Sequence, residues 1–129
     1  MMEVLGVGID AVEIQRFARA VDDWGESFLR KIFTPGELEY FDTKKAKPVS
    51  MAGKFAAKEA VKKALPDGAS IGLRWYDIEI LNGPDGKPYA RLHGRAKKVA
   101  GVSGDLNVFV SVSHTRNIAT ANAVVVQNG

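Results

Sequence analysis

Residues 50–65, SMAGKFAAKEAVKKAL, have helical spacing, and Gly53, Ala57, Ala60 and Ala64 give that helix a face of small residues. A face without bulky side chains packs tightly against whatever it meets, so this helix constrains the fold more than any other segment. Ser50 is the expected N-cap. Glu59 lies four residues from both Phe55 and Lys63, on a side that begins with Met51 and Ala52. A carboxylate in that company needs an explanation.

The flanking segments read as a small α+β chain. VLGVGI at 4–9 alternates as a strand does, with Leu5, Val7 and Ile9 on one face and Val4, Gly6, Gly8 and Asp10 on the other. Its two glycines leave backbone bare beside Asp10, where another group can approach closely. AVEIQRFARAVDDW follows with helical spacing, and Asp10 with Glu13 fits a capping-box-like start. TPGELEYF at 34–41 places a Thr cap, a proline at the first helical position and an acid in the first turn. Lys44–Val49 reads as a polar connector, and LPDGASIG ends the helix that follows it. WYDIEIL and PYARLHG are predicted strands joined through NGPDGK; RAKKVAG is a predicted short helix. NVFVSVSHT and NIATANAVVVQ form a second hairpin, and Ile118–Val126 is apolar on both faces. In so small a domain, that points to cover by another chain. The expected architecture is a single domain over 1–129, one antiparallel sheet packed with helices.

Composition narrows the function classes. A net charge of +3 is too small to argue for nucleic-acid binding, but its distribution is uneven. Between Lys44 and Lys63, seven lysines (Lys44, Lys45, Lys47, Lys54, Lys58, Lys62 and Lys63) meet one acid, Glu59. Such a field attracts phosphates or an acidic partner; the alternative is a solvated lysine face. The absence of cysteine excludes disulfides and thiolate metal sites. No apolar run approaches the roughly 20 residues that span a bilayer, and no leader is apparent, so a cytoplasmic protein is expected.

Two carboxylates carry the chemistry. Asp10 is either a helix cap or a ligand at a strand end; Glu59 is either half of a surface pair with Lys63 or a ligand. Together they fit Mg2+, which takes one or two carboxylates, water and substrate phosphates. His93 reads as a surface residue, and His114 stands where a buried-looking strand turns. Zinc spacings, nucleotide-binding glycine loops and nucleophile elbows are missing.

Four blocks, GVGIDAVEIQRF, FAAKEAVKKAL, DIEI…GKPY and VSVSHT, stand in the order seen in the holo-acyl-carrier-protein synthases, the small phosphopantetheinyl transferases. The chain resembles that family from about Gly6 to Val126. The resemblance implies transfer of 4′-phosphopantetheine from coenzyme A to a serine of apo-acyl carrier protein for fatty acid biosynthesis, releasing adenosine 3′,5′-bisphosphate. It implies that Asp10 and Glu59 hold Mg2+ against the pyrophosphate, with Lys63 near the phosphates and His114 on the coenzyme A side. Arg16, with Arg19 beside it, falls on the helix that docks the acidic carrier. Lys54 stands where the family usually has arginine, keeping the charge but losing the planar fork that grips phosphate twice. LPDGASIG also departs from the family's glycine-rich loop. A homotrimer with sites between subunits is implied as well. Two rivals stand beside this reading: another Mg2+-dependent enzyme acting on a nucleotide diphosphate, and a non-enzymatic binder of an acidic protein.

Overall fold

A computed structural model describes residues 2–45, 47–66, 72–94, 96 and 105–128. In chain order it contains β1 (Met2–Glu13), α1 (Ile14–Ile32), α2 (Pro35–Asp42) and α3 (Lys47–Ala64). A 3-10 turn at Trp75–Asp77 then leads into β2 (Ile78–Asn82), β3 (Pro88–Leu92), β4 (Asp105–His114) and β5 (Ile118–Asn128). No helix among the described residues is long and apolar enough to cross a membrane.

Gly6 and Gly8 decide where α3 lies. A Cβ on Gly8 would overlap the carbonyl oxygen of Ala60, and one on Gly6 would overlap that of Ala64. The helix backbone therefore rests directly on the strand backbone. The predicted small-residue face is what permits this: Ala57, Ala60 and Ala64 are fully buried, as are Ala121, Ala123 and Val125 of β5 to within a few per cent. Since β1 pairs with β5 along its whole length, α3 covers both strands.

Several expectations need correction. Asp10 is not a helix cap, because β1 continues to Glu13, which lies opposite Ile118, and α1 starts only at Ile14. The Ile14 N–H bonds the Asn117 carbonyl at 2.9 Å, which binds the start of α1 to the turn before β5. A register shift between Val4 and Gly6 breaks the simple alternation, so Leu5 turns inward while Val7 and Ile9 stay exposed. Ser50 is not a cap either, since α3 begins at Lys47. Pro48 does not prevent this, because proline in a first turn removes no intrahelical hydrogen bond. Trp75–Asp77 is a 3-10 turn, not strand; the Asp77 carboxylate accepts from the Arg74 N–H at 3.1 Å and closes it. The predicted helix RAKKVAG lies outside the described residues apart from Ala96.

The expected single sheet is two. One is three-stranded in the order β1-β5-β4, the other is the β2-β3 hairpin, and both are antiparallel. The division has a physical cause on β2. Beyond the β3 side, the Ile78 and Ile80 carbonyls accept from Lys58 Nζ (2.6 Å) and Lys54 Nζ (2.5 Å). The Ile80 N–H donates to Glu37 Oε2 at 2.7 Å. Side chains of α2 and α3 thus satisfy backbone groups that another strand would otherwise pair. The side chains of Lys58 and Glu37 are completely buried and 2.6 Å apart. Glu37 also completes the predicted cap: Thr34 Oγ1 accepts from its N–H (3.2 Å), and Glu37 Oε1 accepts from the Thr34 N–H (2.8 Å).

Candidate active site

The close seating of α3 on β1 sets side chains of both elements around one pocket of about 450 Å³. Its lining includes Asp10 and Val12 from β1, Arg16 and Phe17 from α1, Phe55 and Glu59 from α3, and Trp75. The two carboxylates singled out in the sequence therefore line the same pocket. Lys63 Nζ donates to Asp10 Oδ1 and to the Ile9 carbonyl, both at 3.0 Å. Glu59 does not pair with Lys63 as a helical surface pair would; its Oε1 accepts from the Trp75 indole N–H, and Lys62 Nζ is 3.9 Å away. Side-chain exposure is 19% for Asp10 and 25% for Glu59, so both are sheltered but reachable.

The Phe17 and Phe55 ring centroids are 5.3 Å apart, and those of Phe55 and Trp75 are 5.7 Å apart, both pairs tilted. An apolar wall beside two carboxylates lowers the local dielectric and so strengthens their field in the pocket. Arg16 and Arg19 are exposed and three residues apart on α1, where helical neighbours share a face. No ion pair engages either of them among the described residues.

The pocket suits a hard divalent cation. In the hydrogen bonds among the described residues, Asp10 and Glu59 each use a single oxygen, leaving Oδ2 and Oε2 without one. No group of three or more metal-ligating side chains occurs among those residues. Two carboxylates completed by water and phosphate are nonetheless a donor set that Mg2+ accepts.

Lys54 and His114 are not brought to this pocket. They line a second one of about 510 Å³, with Tyr40, Lys44, Ser50 and Asn82 among its other residues. Lys54 Nζ donates to the Ile80 carbonyl and to Asn82 Oδ1 (2.6 Å), and lies 4.4 Å from the Tyr40 ring centroid. Burial outweighs the nearby Glu37 charge and lowers its pKa from 10.5 to about 8. Burial likewise lowers Lys58. Neither a uniform phosphate-attracting field nor a solvated face describes the seven lysines, because Lys54 and Lys58 are buried.

Sequence reasoning missed this buried pair. Its signal was present: positions 54, 58, 61 and 65 follow helical spacing, and Val61 and Leu65 mark that stripe as interior. His93, expected at the surface, is partly exposed and bonds Glu79 at 2.9 Å. Burial alone raises the Glu79 pKa, but hydrogen bonds from Thr34 and His93 hold it below its ordinary value.

Residues 6–121 match the family model described as the 4′-phosphopantetheinyl transferase superfamily. The chain is 44% identical to a holo-[acyl-carrier-protein] synthase of Ruminiclostridium cellulolyticum over 96% of this chain and 92% of that one. It is 38% identical to the synthase of Solibacter usitatus over 95% and 98%. The crystal structure of holo-ACP-synthase from Plasmodium yoelii superposes with a TM-score of 0.83 at 34% identity, covering 100% of this chain and 99% of that one. The Helicobacter pylori synthase in complex with coenzyme A gives 0.78 at 33%, covering 92% and 98%. With the fold, the motifs and nearly the full length in agreement, the chain belongs to the 4′-phosphopantetheinyl transferase superfamily, among the holo-[acyl-carrier-protein] synthases.

Proposed function

We propose that this protein, acting as one domain over 1–129, transfers 4′-phosphopantetheine from coenzyme A to a serine of an apo-acyl carrier protein, with Mg2+, and releases adenosine 3′,5′-bisphosphate. The holo-carrier so formed serves fatty acid biosynthesis in the cytoplasm. The observation that carries this reading is the meeting of Asp10 and Glu59 in one pocket, with Lys63 fixed on Asp10.

Asp10 and Glu59 would hold Mg2+. Bound there, it supplies positive charge that neutralises the diphosphate and polarises the phosphorus under attack. Lys63 spends two of its three N–H donors on Asp10 and the Ile9 carbonyl, so one remains for a phosphate oxygen. Phosphoryl-type transfer needs positioning and charge neutralisation more than covalent participation, and these residues are equipped for both. Arg16 at the pocket and Arg19 one turn on offer unpaired charge to an acidic carrier surface.

Lys54 and His114 belong, in this reading, to the coenzyme A half of a site completed by a neighbouring subunit. Lys54 serves there as a fixed charge in the wall, since its hydrogen bonds tie it to β2. The outer face of the three-stranded sheet supports a homotrimer: Val7 and Ile9 are each 69% exposed, and Phe109 is 57% exposed. Apolar residues grouped on one sheet face are suited to burial by a second copy. Sedimentation velocity should find a trimer, and a stable, active monomer at micromolar concentration would refute it.

The test of function is mass spectrometry of apo-acyl carrier protein incubated with this protein, coenzyme A and Mg2+. The carrier is expected to gain one phosphopantetheine group. An unmodified carrier under these conditions would overturn the reading.

A further inference from the structure

Glu59 reaches into the pocket on a flexible side chain, whereas Asp10 is short and sits in a paired strand. A site with two protein carboxylates has no third ligand to hold the longer one in place, so something else has to fix it. Among the described residues the structure offers one neutral donor for that task. The Trp75 indole N–H bonds Glu59 Oε1, leaving Oε2 without a hydrogen bond. Indole is a donor only and carries no charge, so it orients a carboxylate without competing electrostatically with a cation, as an ammonium would.

Trp75 is itself held from several directions. Its ring packs against Phe55, and Lys62 Nζ lies 5.3 Å from the indole centroid. Its carbonyl accepts from the Ile78 N–H and, at 3.2 Å, from the buried Lys58 ammonium. Lys58 in turn is paired with Glu37 of α2. The indole therefore stands on backbone tied to two helices.

We propose that Trp75 is a positioning residue for Glu59, holding the carboxylate in the orientation in which its second oxygen takes the metal. This rests on the metal reading given above.

The test compares wild type with Trp75→Phe, which keeps an aromatic ring against Phe55 and removes the N–H donor together with the second ring of the indole. Mn2+ binding, followed by electron paramagnetic resonance on protein saturated with coenzyme A, gives a readout independent of turnover. Trp75→Phe is expected to bind Mn2+ at least about 10-fold more weakly, the usual cost of losing a group that supports a ligand. The Mg2+ concentration for half-maximal transfer should rise in parallel, with turnover recovered at saturating Mg2+. A second readout uses Trp24→Phe, whose emission comes from Trp75 alone because the chain has two tryptophans. Mn2+ is expected to quench that emission. Unchanged Mn2+ affinity in Trp75→Phe, with or without a loss of thermal stability, would overturn the proposal. So would a wild type that binds no Mn2+. A wild type that binds Mn2+ but leaves the carrier unmodified refutes the transferase reading alone, and the same Mn2+ titration still decides the role of Trp75.

Discussion

Helix α3 is held on two sides by opposite means. Toward β1 and β5 the contact is dry, small and backbone to backbone, at Gly6 and Gly8 against Ala60 and Ala64. Toward β2 it is ionic, with Lys54, Lys58 and Glu37 reaching out to satisfy one strand edge. The first contact has no charge to titrate and no room for an added atom. The second has side chains with reach, but each buried charge depends on its partner. The dry contact places Asp10, Glu59 and Lys63, while the ionic one supports the backbone of Trp75. A single helix thus carries a steric register on one side and an electrostatic one on the other.

The strongest way to break the ionic side is Lys58→Met. Glu37 would remain as a buried charge without its counterion, at an expected cost of about 3–5 kcal/mol in denaturant melts. The double variant with Glu37→Met sharpens the point. If the pair were only a salt bridge, replacing both halves with apolar residues would restore stability. Because both also bond β2 and Glu37 completes the Thr34 cap, no recovery is expected; full recovery would show that these backbone contacts contribute little.

On the dry side, Gly8→Ala should cost about 3 kcal/mol, since its Cβ overlaps backbone that cannot swing away as a side chain could. Stability near wild type would mean that α3 has other ways to seat.

Asp10→Asn separates placement from chemistry. Its partner Lys63 is about half exposed, so weakening their ion pair should cost less than about 1 kcal/mol. Turnover is expected to fall about 100-fold or more, because losing even a group that supports a ligand costs about 10–100-fold. Glu59→Gln should behave alike, and the two losses should not add if, as proposed, both act through one ion. Near-normal turnover of Asp10→Asn at low Mg2+ would remove Asp10 from the proposed metal site.

The last effect is a pH dependence confined to the ionic side. Lys54 is lowered to about 8 in the fold against 10.5 for the ordinary side chain. Between these values the unfolded chain binds more protons than the native one, so Lys54 makes stability rise with pH there. Below about 8 both states are protonated, and the full cost of burying the charge is present. Thermal melts between about pH 8 and about pH 10 should show a smaller slope in Lys54→Met than in wild type. Equal slopes would rule out Lys54 as the source.

Legibility in the sequence followed the same division. The small-residue face, the bare glycines and the Thr34–Glu37 box were readable because each depends on local spacing. The two carboxylates could be named, but only the fold shows that they share a pocket. The ionic side was legible only in part: helical spacing puts Lys54 and Lys58 on an interior stripe, but they lie 26 and 20 residues from the carbonyls they bond, and nothing local announces that distance. The extent of β1 escaped for a similar reason. Asp10 followed by Glu13 is a sound local start for a helix, and pairing with β5 overrides it.

That pairing also dictates when the site can exist. Asp10 lies opposite Ala121, and among the described residues β1 finds its ladder in the last of five strands. A chain emerging from the ribosome presents Asp10 well before the strand that fixes it is made. Contacts between segments so far apart in sequence close late and slowly. The carboxylate waits without its paired strand until β5 is made, and a chain halted before β5 would have every residue of the pocket but lack the ladder that holds β1 in place.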